Sequence, residues 1–267
     1  MPLIHTSYYT IPVPCWKRSG RVRLALLSDL HNNIFPGLLE ILQREKPDYV
    51  LIAGDMVNRP TRLTPVRFGR GYDCVRRLAE LFPVYYALGN HESSWCCQEG
   101  QKIPFERYQR ALEKKGVVFL RDTSVDLGDE ANPLRLSGLE LEHRQYTHHL
   151  KNRRPPEEGV VESKLGPAAP FQILLVHHPF YLKQYAAWGA DLVLAGHLHG
   201  GQIRLPGLGG LMASGPQFLP PYTKGLYREG ESSMIVSPGL GTHTIPFRLF
   251  NPREAVMVDL EAAGKQT

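Results

Sequence analysis

The chain has 267 residues, 42% hydrophobic and 21% charged, enough to bury one large core without disulfide staples and too apolar for a disordered chain. Its formal net charge of +5 favours anionic partners such as phosphate esters, nucleic acid or an acidic membrane face, though so modest an excess serves solubility equally well. No run reaches the ~18 apolar residues of a membrane span, Met1 to Gly20 has no apolar leader core, and Cys15, Cys74, Cys96 and Cys97 form neither a zinc knuckle nor a disulfide frame, so a reducing, cytoplasmic setting is expected.

The first half alternates short apolar runs with amphipathic ones. Arg21 to Leu27 reads as a buried strand, Pro36 to Lys46 as a helix with Leu38, Leu39, Ile41 and Leu42 on one face, and Tyr49 to Ala53 as the next strand. A helix over Asp73 to Phe82, a strand over Val84 to Ala87 and a helix over Phe105 to Lys115, stopped by Gly116, complete a β-α-β-α-β rhythm. That rhythm predicts a largely parallel sheet covered by helices. The second half is richer in strands: Val117–Leu120, Ser124–Leu127, Leu134–Leu139, Ile173–Val176, Leu192–Ala195, Met234–Ser237 and Ala255–Leu260, with one clear helix over Tyr181 to Trp188. The expected architecture is one α/β domain over residues 1–267, with two packed sheets and helices outside. Two segments, 140–170 and 205–230, read as insertions of the kind that form lids or substrate loops.

The residues with chemistry to offer stand just past the strands. Leu24 to Leu27 leads into Ser28-Asp29-Leu30-His31, and Tyr49 to Ala53 into Gly54-Asp55-Met56-Val57-Asn58. Val84 to Ala87 leads into Leu88-Gly89-Asn90-His91-Glu92, Ile173 to Val176 into His177-His178-Pro179, and Leu192 to Ala195 into Gly196-His197-Leu198-His199. Each motif alone is weak. Together, five strand ends carry one class of donor in order, and the carboxyl ends of strands in α/β sheets are where sites assemble. Aspartate and imidazole suit divalent cations, and the glycines before the donors let the backbone turn sharply and approach an ion.

This ordered set resembles the calcineurin-like metallophosphoesterases, with their D-x-H, G-D-x-x-D/N, G-N-H-D/E, H and G-H-x-H motifs. The later Gly200-Gly201-Gln202-Ile203 and Pro238-Gly239-Leu240-Gly241-Thr242 resemble the bacterial YkuE/YaeI-like branch, extending the likeness over nearly the whole chain. The resemblance implies a four-layer sandwich of two mixed β-sheets flanked by helices. It also implies two divalent metal ions, one held by Asp29, His31, Asp55 and His199, the other by Asp55, Asn90, His177 and His197. Asp55 would bridge, and His177 is preferred to His178 as the residue standing before His-Pro. Manganese is the first expectation, although these donors equally accept iron, zinc, magnesium or nickel.

A two-metal site implies hydrolysis of a phosphate ester by a bridging hydroxide in an in-line displacement, with phosphodiesters ahead of phosphomonoesters and pyrophosphates. The resemblance makes His91 the general acid for the leaving oxygen. Where relatives that dephosphorylate proteins carry Asp-Arg, this chain has Asn58-Arg59, which argues against protein substrates. Arg59 is a candidate fork for substrate phosphate. Gln202 is a further candidate to reach the site, whereas Tyr222, Tyr227 and His243 are assigned no role and Trp95 and Trp188 read as packing. The expected substrate is a small or lipid-like phosphate ester. Lys151 to Arg154 would suit an anionic membrane face, nucleic acid is less favoured for want of a basic stripe with stacking aromatics, and the sequence leaves oligomeric state open. The alternative class is a metal-binding scaffold without catalysis, disfavoured because His91 and every donor are present.

Overall fold

The computed structural model describes residues 4–59, 69–97, 102–146, 154–205, 207–213, 217–242 and 247–263. Chain order begins with a strand that patterning passed over, β1 (Ile4–Val13), followed by β2 (Arg21–Leu27), α1 (Leu38–Glu45), β3 (Tyr49–Ala53), α2 (Arg70–Ala79) and β4 (Val84–Ala87). Next come α3 (Asn90–Cys97), α4 (Lys102–Glu113), β5 (Val118–Leu120), β6 (Thr123–Asp126), β7 (Arg135–Gly138), α5 (Val160–Leu165) and β8 (Gln172–Leu175). The remainder is α6 (Leu182–Trp188), β9 (Leu192–Ala195), β10 (Ile203–Leu205), β11 (Gly209–Ala213), β12 (Gln217–Phe218), β13 (Gly225–Glu229), β14 (Ser232–Val236) and β15 (Arg253–Ala262). Short 3-10 turns occupy His143–Tyr146, Pro179–Tyr181 and His199–Gly201.

Two six-stranded mixed sheets result, ordered β1-β15-β2-β3-β4-β5 and β13-β14-β9-β8-β7-β6, with a small third sheet β10-β11-β12. In the first, β2, β3, β4 and β5 run parallel through helical crossovers, while β15 returns antiparallel to β2 and parallel to β1. In the second, β7, β8, β9 and β14 are parallel and the antiparallel edges are β6 and β13. Parallel strands buried on both faces carry continuous apolar runs, and Leu24, Ala25, Leu26 and Leu27 are all fully buried.

The alternation of side chains along each strand divides the core. Leu24, Leu26, Leu51 and Ala53 meet Ile173, Leu175, Leu192 and Leu194 between the two sheets. The opposite face of the first sheet packs Leu27, Val50 and Ile52 on Leu38 and Leu42 of α1, Val75 and Leu78 of α2, and Phe105, Tyr108 and Leu112 of α4. The outer face of the second sheet packs Leu174, Val176 and Val193 on Val161 of α5 and on Leu182 and Tyr185 of α6. Each fully buried leucine contributes roughly 1.5–3 kcal/mol, so this core is rigid enough to hold strained loops at its upper edge.

Helix boundaries shift from the sequence reading for local reasons. Arg70 begins α2 after Gly69, and Leu81 and Phe82 only turn back onto the Leu78 carbonyl. Lys114 and Lys115 close α4 before Gly116, whose φ of +90° ends it as the sequence anticipated. The segment 205–230 holds β11 and β12, and Gly225–Glu229 is an edge strand of the second sheet. Lys151, Arg153 and His243 lie outside the described residues. Among the described residues no helix is long and apolar enough to cross a membrane.

Candidate metal centre

The donors gather where β2, β3, β4, β8 and β9 end. The first two loops run side by side, joined by Asp29 N–H to Gly54 O, His31 N–H to Asp55 O and Asn32 N–H to Met56 O, each 3.0 Å. The hydrogen-bonded ladder therefore continues past the strands and delivers Asp29, His31 and Asp55 to one place.

Sharp turns aim the side chains. Asp29 (φ 52°), His31 (50°), Asn32 (56°), Asp55 (55°), His197 (75°), His199 (49°) and Gln202 (41°) all occupy the left-handed region. For non-glycine residues this conformation costs ~1–2 kcal/mol each. It reverses the chain fast enough for i, i+2 pairs such as Asp29/His31 and His197/His199 to converge. Gly54 (φ 82°) allows a close approach, since a Cβ there would lie 2.4 Å from Gly89 N and 2.9 Å from His177 Nδ1.

Each aspartate commits one oxygen to backbone and turns the other inward. Asp29 Oδ2 accepts from His197 N–H at 3.0 Å, leaving Oδ1 3.6 Å from His199 Nε2, 3.8 Å from His31 Nε2 and 3.9 Å from His177 Nε2. Asp55 Oδ1 accepts from His91 N–H at 2.9 Å, leaving Oδ2 3.2 Å from His177 Nε2, 3.8 Å from His31 Nε2 and 3.9 Å from His91 Nε2. The result is two buried trios with metal-binding spacing, Asp29/His31/His199 and Asp55/His177/His197, with a third, His31/Asp55/His91, overlapping both.

Donor chemistry fits cations. His31 Nε2 and His199 Nε2 are 3.1 Å apart, as are His177 Nε2 and His197 Nδ1. That is the separation of adjacent ligands at ~2.1 Å from one ion in a tetrahedral or octahedral shell. Asp29 Oδ1 and Asn90 Oδ1 are buried without hydrogen-bond partners among the described residues, a cost that native proteins rarely leave uncompensated. His177 Nδ1 donates to Ala53 O at 2.6 Å, fixing its ring with Nε2 inward.

Charge is distributed unevenly. Burial opposes ionisation of Asp29 and Asp55, but the surrounding histidines outweigh it and hold both carboxyls below the usual range. Burial also works against a charged His177, and the two aspartates with the Ala53 carbonyl override it, raising its pKa to about 9. Burial and neighbouring cationic rings push His197 down, and burial takes His199 to about 3.

The second ring of contacts contains residues that the sequence did not single out. Glu92, fully buried in α3, accepts at Oε2 from the N–H groups of Asp55 (2.8 Å) and Gly89 (3.0 Å). Its Oε1 accepts from Met56 (2.9 Å), Val57 (3.3 Å) and the Tyr86 hydroxyl (2.7 Å). One carboxylate thus ties together the loops after β3 and β4. Asn251 donates to His199 O at 2.6 Å and holds the β9 loop in its strained path.

Of the expected site residues, Asp29, His31, Asp55, His91, His177, His197 and His199 are brought together, and Asn90 opens α3 beside them. His178 belongs to none of the trios, although its ring lies 4.5 Å from that of His197; its Nδ1 accepts from Phe180 N–H, and its ring also packs on Tyr181. Asn58 donates to His31 O, and it is the backbone N–H of exposed Arg59 that meets His91 Nδ1, at 2.8 Å. Gln202 is buried, and neither of its amide atoms has a partner among the described residues. Trp95 packs on Phe105 and Tyr108 as expected.

Residues 22–201 match the family model described as calcineurin-like phosphoesterase. The chain is similar to the uncharacterized metallophosphoesterase YkoQ of Bacillus subtilis, 24% identical over 86% of this chain and 80% of that protein. It is also similar to YkuE of the same organism, 26% identical over 84% and 71% of the two chains. Phosphodiesterase YaeI of Escherichia coli is 26% identical over 82% of this chain and 75% of its own.

Proposed function

From the premise that this chain belongs to the calcineurin-like phosphoesterase family, and so is a metal-dependent phosphoric ester hydrolase, we propose that it is a two-metal phosphodiesterase whose catalytic acid is His91. One observation carries the reading: two buried trios of donors, Asp29/His31/His199 and Asp55/His177/His197, are each spaced to hold one cation. In this reading Asp29, His31, Asp55 and His199 hold one ion and Asp55, Asn90, His177 and His197 the other. The unpartnered oxygens of Asp29 and Asn90 support it. When bound, two such ions supply a hydroxide nucleophile at neutral pH and neutralise charge developing on the phosphoryl oxygens.

The chain's own contribution is positional. His91 Nδ1 accepts the Arg59 backbone N–H, so the ring carries its proton on Nε2. That atom faces Asp55 Oδ2 at 3.9 Å, and from there it gives the proton to the departing ester oxygen. Asp55 ties the position of His91 to the centre by capping its N–H. Arg59, beside His91, is a second contact for substrate. The name of YaeI supports diesters over monoesters. The loops 140–170 and 205–230 are proposed to shape the substrate entrance, and the cysteine usage supports a reducing, cytoplasmic setting. No observation favours a non-catalytic scaffold.

The test is hydrolysis of bis-p-nitrophenyl phosphate and p-nitrophenyl phosphate by metal-stripped protein, restored with Mn²⁺, with Asp55→Ala as control. Turnover that returns with metal, is absent in Asp55→Ala and is faster with the diester is the expected result. Two bound metals without turnover of either ester would overturn the catalytic reading, and a faster monoester would overturn the diester assignment.

A further inference from the structure

The loop before β15 carries a half-buried cation, Arg248, that the proposed chemistry has not used. Arg248 donates from Nε (3.0 Å) and from Nη2 to a single acceptor, the carbonyl of Gly241. Its Nη1 is buried and has no hydrogen-bond partner among the described residues. Gly241 lies directly on the metal-binding loop: its N–H donates to Asp29 O at 2.7 Å, and Leu240 N–H to Ser28 O at 3.0 Å. The Arg248 charge is felt by His199, and that of Asp29 by Arg248. Burial, partly offset by Asp29, lowers the guanidinium pKa to about 10.

An anchor for the Gly241 carbonyl needs only one edge of the guanidinium, and a neutral amide would serve without the desolvation cost of a half-buried ion. Two divalent ions between Asp29 and Asp55 would more than neutralise those carboxylates, leaving a further cation nearby repelled unless an anion joins the cluster. The free edge of a planar fork matches the oxygens of a phosphoryl group. We infer that Arg248 is a substrate-binding residue, whose Nη1 edge takes a non-bridging oxygen of the phosphate ester at the Asp29/His31/His199 side of the centre. The inference rests on the two-metal reading above.

The experiment compares wild type, Arg248→Met, Arg248→Lys and Arg59→Ala, all metal-loaded, by steady-state hydrolysis of bis-p-nitrophenyl phosphate with tungstate as competing oxoanion. Metal content and melting temperature are measured alongside. Arg248→Met is expected to keep both metals, to lose ~10²-fold or more in kcat/KM, as loss of a transition-state donor does, and to raise the tungstate inhibition constant ~10-fold. Arg248→Lys should fall between it and wild type. An unchanged tungstate constant in Arg248→Met, or a loss of activity that only follows loss of metal, overturns the inference. Should Arg248→Met not fold, wild-type crystals soaked in tungstate decide: an oxoanion within hydrogen-bond distance of Nη1 supports the inference, and one bound elsewhere in the centre overturns it. Wild-type protein that binds metal but turns over no ester would instead refute the underlying reading.

Discussion

Glu92→Gln replaces two carboxylate oxygens by one oxygen and one NH2 group, at a position where every partner donates. Oε2 receives two backbone N–H groups, and Oε1 receives two more together with the Tyr86 hydroxyl. Whichever way the glutamine amide turns, its NH2 faces at least two buried backbone donors. A buried donor stripped of its acceptor costs ~1–3 kcal/mol, so the substitution should destabilise the protein by ~2–6 kcal/mol. That is a large share of the ~5–15 kcal/mol that holds a typical domain together. The orphaned amides are those of Asp55 and Gly89 or those of Met56 and Val57, so affinity for metal should fall with stability. Burial and the nearby Asp55 push the Glu92 carboxyl up to about 7. Urea unfolding of metal-stripped protein at pH 8, where the wild-type group is ionised, and calorimetric titration of metal into both proteins read the two effects. A Glu92→Gln protein within ~0.5 kcal/mol of wild type and with the same metal affinity would refute the reasoning. Glu92 would then be a neutral acid bonded chiefly to Tyr86.

Other substitutions probe the same centre and its frame. His91→Ala should retain both metals by elemental analysis yet lose ~10²–10⁴-fold on alkyl phosphodiesters, and much less on nitrophenyl esters, whose leaving group needs no proton. Gly89→Ala would put a Cβ 2.1 Å from Asp55 Oδ1 and 2.6 Å from Asp55 N. It should cost ~1–3 kcal/mol in thermal unfolding and abolish retention of at least one metal. Far from the site, Arg23 grips Asp259 with two bonds of 2.7 Å, which lowers the Asp259 pKa. A carboxylate lowered on folding stabilises above its unfolded pKa, and the gain is lost as pH falls through the folded one. Asp259→Asn should therefore cost ~1–2 kcal/mol in urea unfolding at pH 7 and progressively less below pH 4.

How much of the molecule its sequence declares depends on how locally each feature is encoded. β2, β3, β4 and β9 stand where the apolar runs placed them, because strands buried on both faces need little beyond continuous apolar side chains. β1 was missed although Ile4, Thr6, Tyr8, Tyr9, Thr10, Ile11 and Val13 are strand formers. It is an edge strand, half exposed, and its partner β15 lies at the other end of the chain. β11 and β12 fall inside the 205–230 insertion, and strands of two to five residues carry too few positions for a period to register.

The same distinction governs the site. Donors at strand ends were legible because divalent cations accept few side chains and the fold presents them at repeated points of the β-α rhythm. The residues that hold those donors in place were not. Glu92 was visible only as the last letter of a motif, and its role depends on four backbone amides that converge only in three dimensions. Asn251 and Arg248 act on His199 and on Gly241 from distant or irregular segments that no periodicity marks. Nor did any pattern announce that Asp29, His31, Asp55, His197 and His199 would take left-handed backbone. At ~1–2 kcal/mol apiece, this strain weighs substantially on the stability of the metal-free protein, and Glu92 at the Asp55 loop and Asn251 at the His199 loop help to offset it. Those two side chains therefore belong with the donors: without them the loops would be freer to relax to ordinary backbone, and the imidazoles would lose the 3.1 Å spacing that suits two ligands of one cation.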